Sequence, residues 1–235
     1  MESLNKSRNS SFLFIVFFIC ALYGFYRSYF GLFPTFGPHF TTLTHVHGLS
    51  ITVWMLILIV QPLLIRFRKH TWHRLLGKFS YFYVPILATL MLLTIRQGYL
   101  KGLGKMPQTN LLAFQFVPVS AFVCFLLSYI MAIVKRNDWH THKSYMIVHA
   151  LFCLWAAFGR MDYRWLGVTD FHEAIAVSYL PSLVILFVLC IYELSHKKIN
   201  KAYMNALPFF VSAPLFYYYF STSIIWQALA KIIFE

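Results

Sequence analysis

Seven long apolar runs, parted by short polar segments, make up nearly the whole chain: about 12–26, 46–67, 79–97, 111–134, 144–158, 173–194 and 207–233. Helices of such length and so little charge fit a lipid environment, because a span of the hydrocarbon core takes about 20 apolar residues and must satisfy its backbone internally. The pattern predicts an all-α fold: one transmembrane domain over 1–235, a bundle of seven helices. The first run has the outline of a secretory leader, but it passes into Tyr26-Arg27-Ser28-Tyr29-Phe30 without a small-residue cleavage site. It reads as a signal anchor kept as the first helix.

The segments between the runs set the orientation. On an alternating seven-span topology, Lys6, Arg8, Arg66, Arg68, Lys69, Arg74, Lys78, Lys135, Arg136, Lys143, Lys197, Lys198 and Lys201 share one side, 13 of the 20 Lys and Arg. The positive-inside rule then places the N-terminus inside and the C-terminus outside. Composition agrees: 60% of residues are hydrophobic and 11% charged, against about 25% charged in soluble domains. The net charge of +13 sits in topology-setting loops, which argues against nucleic acid as a partner and for the lipid bilayer. Cys20, Cys124, Cys153 and Cys190 lie inside apolar runs without Cys-x-x-Cys spacing, so they read as small core residues.

Candidate chemistry rests on the histidines. His39, His45, His47 and His172 fall on the outer side, and His70, His73, His140, His142 and His196 on the inner side; His149 alone falls well inside a run. Ionisable groups at membrane depth are costly, which singles out His149. His142, His149 and Arg160 lie within about 20° of one another on a helix, and Met146 and Cys153 share that stripe. His47, Trp54, Gln61 and Arg68 recur every seven residues on the second run. The two stripes are expected to face each other.

Neutral imidazole ligates haem iron and other transition metals, and two histidines at similar depth on facing helices suit a membrane b-type haem. His73 with His142 and His47 with His172 meet the depth condition. His149 lies about 10 Å from the inner boundary, so it joins an inner site only if His73 sits deeper. Arg74 and Arg160 are candidate partners for haem propionates, and Gly77, one turn beyond His73, suggests a close helix approach. Each feature also has a plainer reading: His39, His45, His70, His140 and His196 as interfacial residues, Trp54 and Gln61 as a packing anchor and an interhelical hydrogen bond, His149 as a hydrogen-bonded core residue.

The segments His47-Gly48 with Trp54 and Gln61, His73-Arg74-Leu75-Leu76-Gly77, and His142-Lys143-Ser144-Tyr145-Met146 with Arg160 resemble an uncharacterised family of bacterial polytopic membrane proteins. The resemblance covers the second to fifth runs and implies the bacterial inner (cytoplasmic) membrane. The placing of histidines near both faces is loosely similar to the two-haem membrane b-type cytochromes. A retinal protein is excluded, since 207–230 holds no lysine, and a zinc hydrolase or carboxylate-coupled transporter lacks a carboxylate in the middle of a run. The resulting expectation is a metal-cofactor membrane protein, with heme b or otherwise a non-haem transition metal, acting in membrane electron transfer with a quinone or redox partner. Its candidate metal ligands are His47, His73, His142, His149 and His172; its candidate cofactor contacts are Arg74, Arg160, Trp54, Gln61 and Met146. Two alternatives stay open: a haem-free histidine-based transporter or metal-handling protein, and a non-catalytic subunit or assembly partner whose polar stripes pack helices.

Overall fold

The computed structural model describes residues 2–38, 40–161, 163, 166–169 and 171–235, the side chains of 2–9, 171 and 172 excepted. The fold is all-α. Among the described residues the helices are α1 (Glu2–Tyr26), α2 (Thr42–Arg66), α3 (His70–Gly102), α4 (Gln108–Val134), α5 (Trp139–Phe158), α6 (Phe171–Ser178), α7 (Leu180–Ser195), α8 (Lys201–Phe220) and α9 (Ile224–Phe234), with a 3-10 turn at Phe30–Leu32. Among the described residues, four helical segments are long and apolar enough to cross a membrane: Thr42–Arg66, His70–Gly102, Gln108–Val134 and Glu173–Ser195.

Local chemistry explains where the helices depart from the apolar runs. α5 starts at Trp139, so the segment expected as a loop through Lys143 is its first turn; the Asp138 carboxylate caps the turn by accepting from His140 N and Thr141 N, which satisfies two orphan donors. His140 and His142 are therefore helical. α3 likewise starts at His70, which leaves only Phe67–Lys69 as the basic turn. At 33 residues α3 is about 50 Å long, well beyond a hydrocarbon core of about 30 Å. The last run divides at Ser221–Ser223: Ser221 Oγ bonds back to Tyr217 O, and Ser223 Oγ accepts from Trp226 N at 3.2 Å to begin α9. The sixth run also divides, at Tyr179, ahead of Pro181 in the first turn of α7, where a missing N–H is tolerated.

The chain forms two compact units, Met1–Thr94 and Ile95–Glu235. In the first, α1 lies along α2. There Trp54 of α2, 1% exposed, stacks on Tyr83 of α3 with ring centroids 6.2 Å apart, and Tyr83 OH donates to Ser50 O at 2.8 Å. In the second, α5 packs against α4, α7 and α8, while α9 packs on α4. Trp226 anchors α9, its Nε1 donating to Leu112 O at 2.8 Å beside Phe116.

Candidate functional site

The polar stripe of α5 is turned toward α4. His142 Nδ1 lies 2.8 Å from Ala132 O and His149 Nδ1 lies 2.9 Å from Phe125 O, so two histidines seven apart meet two carbonyls seven apart on the antiparallel neighbour. Ala132 belongs to the last turn of α4, where carbonyls lack an intrahelical donor, and His142 supplies one. A carbonyl oxygen only accepts, so each neutral ring carries its proton on Nδ1 and its lone pair on Nε2. That is the tautomer in which Nε2 can ligate a metal.

The two rings differ in surroundings. His149 is 0% exposed, with the Phe125 ring at 4.2 Å and the Tyr129 ring at 5.7 Å. The ring is enclosed, and through Phe125 O His149 ties α5 to α4. His142 is only partly buried, and its donor chemistry fits an axial ligand. Met146 packs, partly buried, on the cluster of Ala132, Tyr145 and Ala202. Arg160 lies two residues past the end of α5 and folds back on it, one guanidinium N–H donating to Ala156 O at 2.6 Å. The side chain of His172 lies outside the described residues.

The stripe of α2 is turned toward α3. Trp54 meets Tyr83 there, and Gln61 meets the first two turns of α3. With its amide nitrogen facing His73, Gln61 donates to His73 Nδ1 at 2.5 Å and to His73 O at 3.3 Å, and its oxygen accepts from Gly77 N at 3.1 Å. His73 O can only accept and Gly77 N–H can only donate, which fixes this orientation. The main-chain carbonyl oxygen of Gln61 lies farther from the same imidazole nitrogen, at 3.4 Å. In this orientation Nδ1 of His73 accepts from the Gln61 amide, which places its proton on Nε2, opposite to His142. A Cβ on Gly77 would lie 3.8 Å from the Gln61 amide nitrogen, an ordinary contact, so Gly77 is not holding an unusually close approach. Arg74 is exposed and His47 is half-buried in the first turns of α2. His45, expected as an interfacial residue, accepts or donates at Nδ1 with Tyr29 OH at 2.7 Å and is ringed by Tyr29, Phe36 and Phe40.

One functional candidate escaped the sequence reading. Glu193 of α7 is 7% exposed, and both carboxylate oxygens lie 3.2 Å from His140 Nε2. His140, expected as an interfacial residue, is thus the partner of a buried acid. Next to it Asn200 Nδ2 donates to Ser144 Oγ at 2.6 Å, which donates to His140 O at 2.8 Å. The signal was available as Ile191-Tyr192-Glu193-Leu194, a carboxylate inside an apolar stretch.

Among the described residues no group of three or more His, Cys, Asp and Glu side chains could hold a metal ion. The candidates are therefore separate pairs: His73 with Gln61 in the first unit, and His142 with Ala132 and His140 with Glu193 in the second. Set against family models, curated proteins and solved structures, the chain matches none. What the fold and the site define is a class, a helical protein with several helices apolar and long enough for a membrane.

Proposed function

We propose that the protein is an integral membrane protein of seven crossings, N-terminus inside and C-terminus outside, in a bacterial cytoplasmic membrane, and that it binds b-type haem for electron transfer with a quinone or redox protein. The observation that carries the reading is His142: its Nδ1–H is held by Ala132 O, which orients the ring and leaves Nε2 as the ligating nitrogen. Haem, when bound, supplies one-electron chemistry. His142 contributes the oriented imidazole, and Lys143 and Arg136 at the same end of α4 and α5 provide positive charge for propionates.

Detergent-purified protein should show a reduced-minus-oxidised spectrum with a b-type α-band, and His142→Ala should abolish or shift it while His70→Ala and His196→Ala leave it intact. Folded, monodisperse protein carrying neither haem nor stoichiometric metal would sink this reading. A second reading, in which the stripes only pack helices within a non-catalytic subunit, is favoured by one observation: His149 is entirely enclosed.

The orientation has its own test. A reporter fused after Glu235 should be active outside the cytoplasm, and one fused at Lys198 should be active inside. The reverse pattern removes the assignment of sides.

A further inference from the structure

We propose that the N-terminal part of α3 binds an anionic phospholipid, with its phosphate held by Arg74 and Lys78 and an acyl chain laid along Phe82 and Ile86. The proposal rests on the membrane location given above, and on neither the haem nor the assignment of sides. The four residues recur at every fourth position of α3, so they follow one another along a single ridge of the helix, about 6 Å apart along its axis. All four are exposed, Phe82 at 75% and Ile86 at 58%. Two cations followed by two apolar side chains repeat the order of a phospholipid, headgroup first and hydrocarbon after. Leu75 and Phe79, also exposed, lie three residues before Lys78 and Phe82 and so widen the apolar side of the ridge.

Charge points to the same ligand. Arg66, Arg68, Lys69, Arg74 and Lys78 fall close together in the sequence, no carboxylate lies between Glu2 and Asp138, and Glu2 is outnumbered by Lys6 and Arg8. Clusters of about 4–8 cations beside a membrane span attract anionic headgroups. Arg68 follows the end of α2 with φ 58°, while Arg68 N donates to Ile65 O and Lys69 N to Leu64 O, a helix end at which glycine is the usual residue. A cation is kept there against the backbone preference. Depth fits as well: α3 exceeds the hydrocarbon core by about 20 Å, which leaves its charged first turns at headgroup level and lets Phe82 and Ile86 reach hydrocarbon. A free anion would gain nothing from that apolar half of the ridge. The basic turn at Lys197 and Lys198 differs, since Lys198 lines one hollow with Glu193, so a carboxylate already stands beside it.

The test titrates full-length protein, extracted and delipidated in detergent, with dioleoylphosphatidylglycerol and separately with dioleoylphosphatidylcholine, counting bound lipid by native mass spectrometry. One phosphatidylglycerol should bind about tenfold or more tightly than phosphatidylcholine. Arg74→Gln with Lys78→Gln should weaken it about 25-fold, since each cation near a headgroup contributes about fivefold. Lys197→Gln with Lys198→Gln should change it by less than about twofold, the charge there being partly offset. All four positions are exposed, so both double variants should keep the helical circular dichroism of the parent. Equal affinity for the two lipids overturns the proposal. So does an equal loss in the two double variants, which would make the effect one of general surface charge, and so does displacement of the lipid by inorganic phosphate at constant ionic strength, which would make the site one for any anion. Protein recovered from cells without detergent would remove the membrane location and the proposal with it, whereas the expected binding pattern in haem-free protein supports the proposal alone.

Discussion

Alanine in place of His149 should destabilise the second unit by about 2–4 kcal/mol, most of it from packing rather than from the lost hydrogen bond. The two contributions separate on magnitude. An interhelical hydrogen bond in a membrane protein is worth about 0.6 kcal/mol on average, and Phe125 O keeps a second donor in Ser128 Oγ at 2.9 Å when the imidazole is gone. The ring itself fills an enclosed space against Phe125 and Tyr129, and large-to-small changes in such places leave a cavity that only partly collapses. Unfolding in mixed detergent, followed by helical circular dichroism, should put His149→Ala well below the parent. His142→Ala, at the half-exposed end of the same stripe, should cost about 1 kcal/mol or less. Equal losses at the two positions would mean that burial does not govern them.

A larger asymmetry is expected at His140 and Glu193. His140→Ala leaves a carboxylate that is 7% exposed without its imidazole, and stranding one member of a buried pair costs about 3–5 kcal/mol when both are fully enclosed. His140 is partly exposed, so water reaches the pair and the expected loss is about 1–3 kcal/mol. Removing both partners should restore much of it: His140→Ala with Glu193→Leu should unfold later than His140→Ala alone, since an apolar side chain there carries no charge to desolvate. A double variant less stable than the single one would show that Glu193 gains its stability from other groups, with Asn200 the first to examine.

The all-α architecture was legible because long uncharged apolar runs have few other outcomes, and the stripe on α5 was legible because 3.6-residue periodicity alone puts His142 and His149 on one face. What lay opposite that face was not. The facing residues on α4 are main-chain carbonyls of Ala132 and Phe125, groups that every residue has and no sequence pattern marks. The tautomers of His73 and His142 were hidden for the same reason, as each depends on whether its neighbour donates or accepts. Hydropathy also smoothed over local breaks: Ser221-Thr222-Ser223 is too short to interrupt an apolar average, yet its hydroxyls end one helix and begin another. At Trp139 the error ran the other way. The charged and polar residues after Asp138 looked like a loop, whereas an N-cap aspartate followed by His and Thr is a start signal.

The matched spacing of His142 and His149 with Ala132 and Phe125 constrains how α5 can move. Sliding it along α4 by one helical turn, about 5.4 Å, carries both imidazoles off their carbonyls at once, and no intermediate position keeps one engaged. Piston motion of α5 against α4 therefore gives up both contacts together, whereas a rearrangement that carries the two helices as one block keeps them.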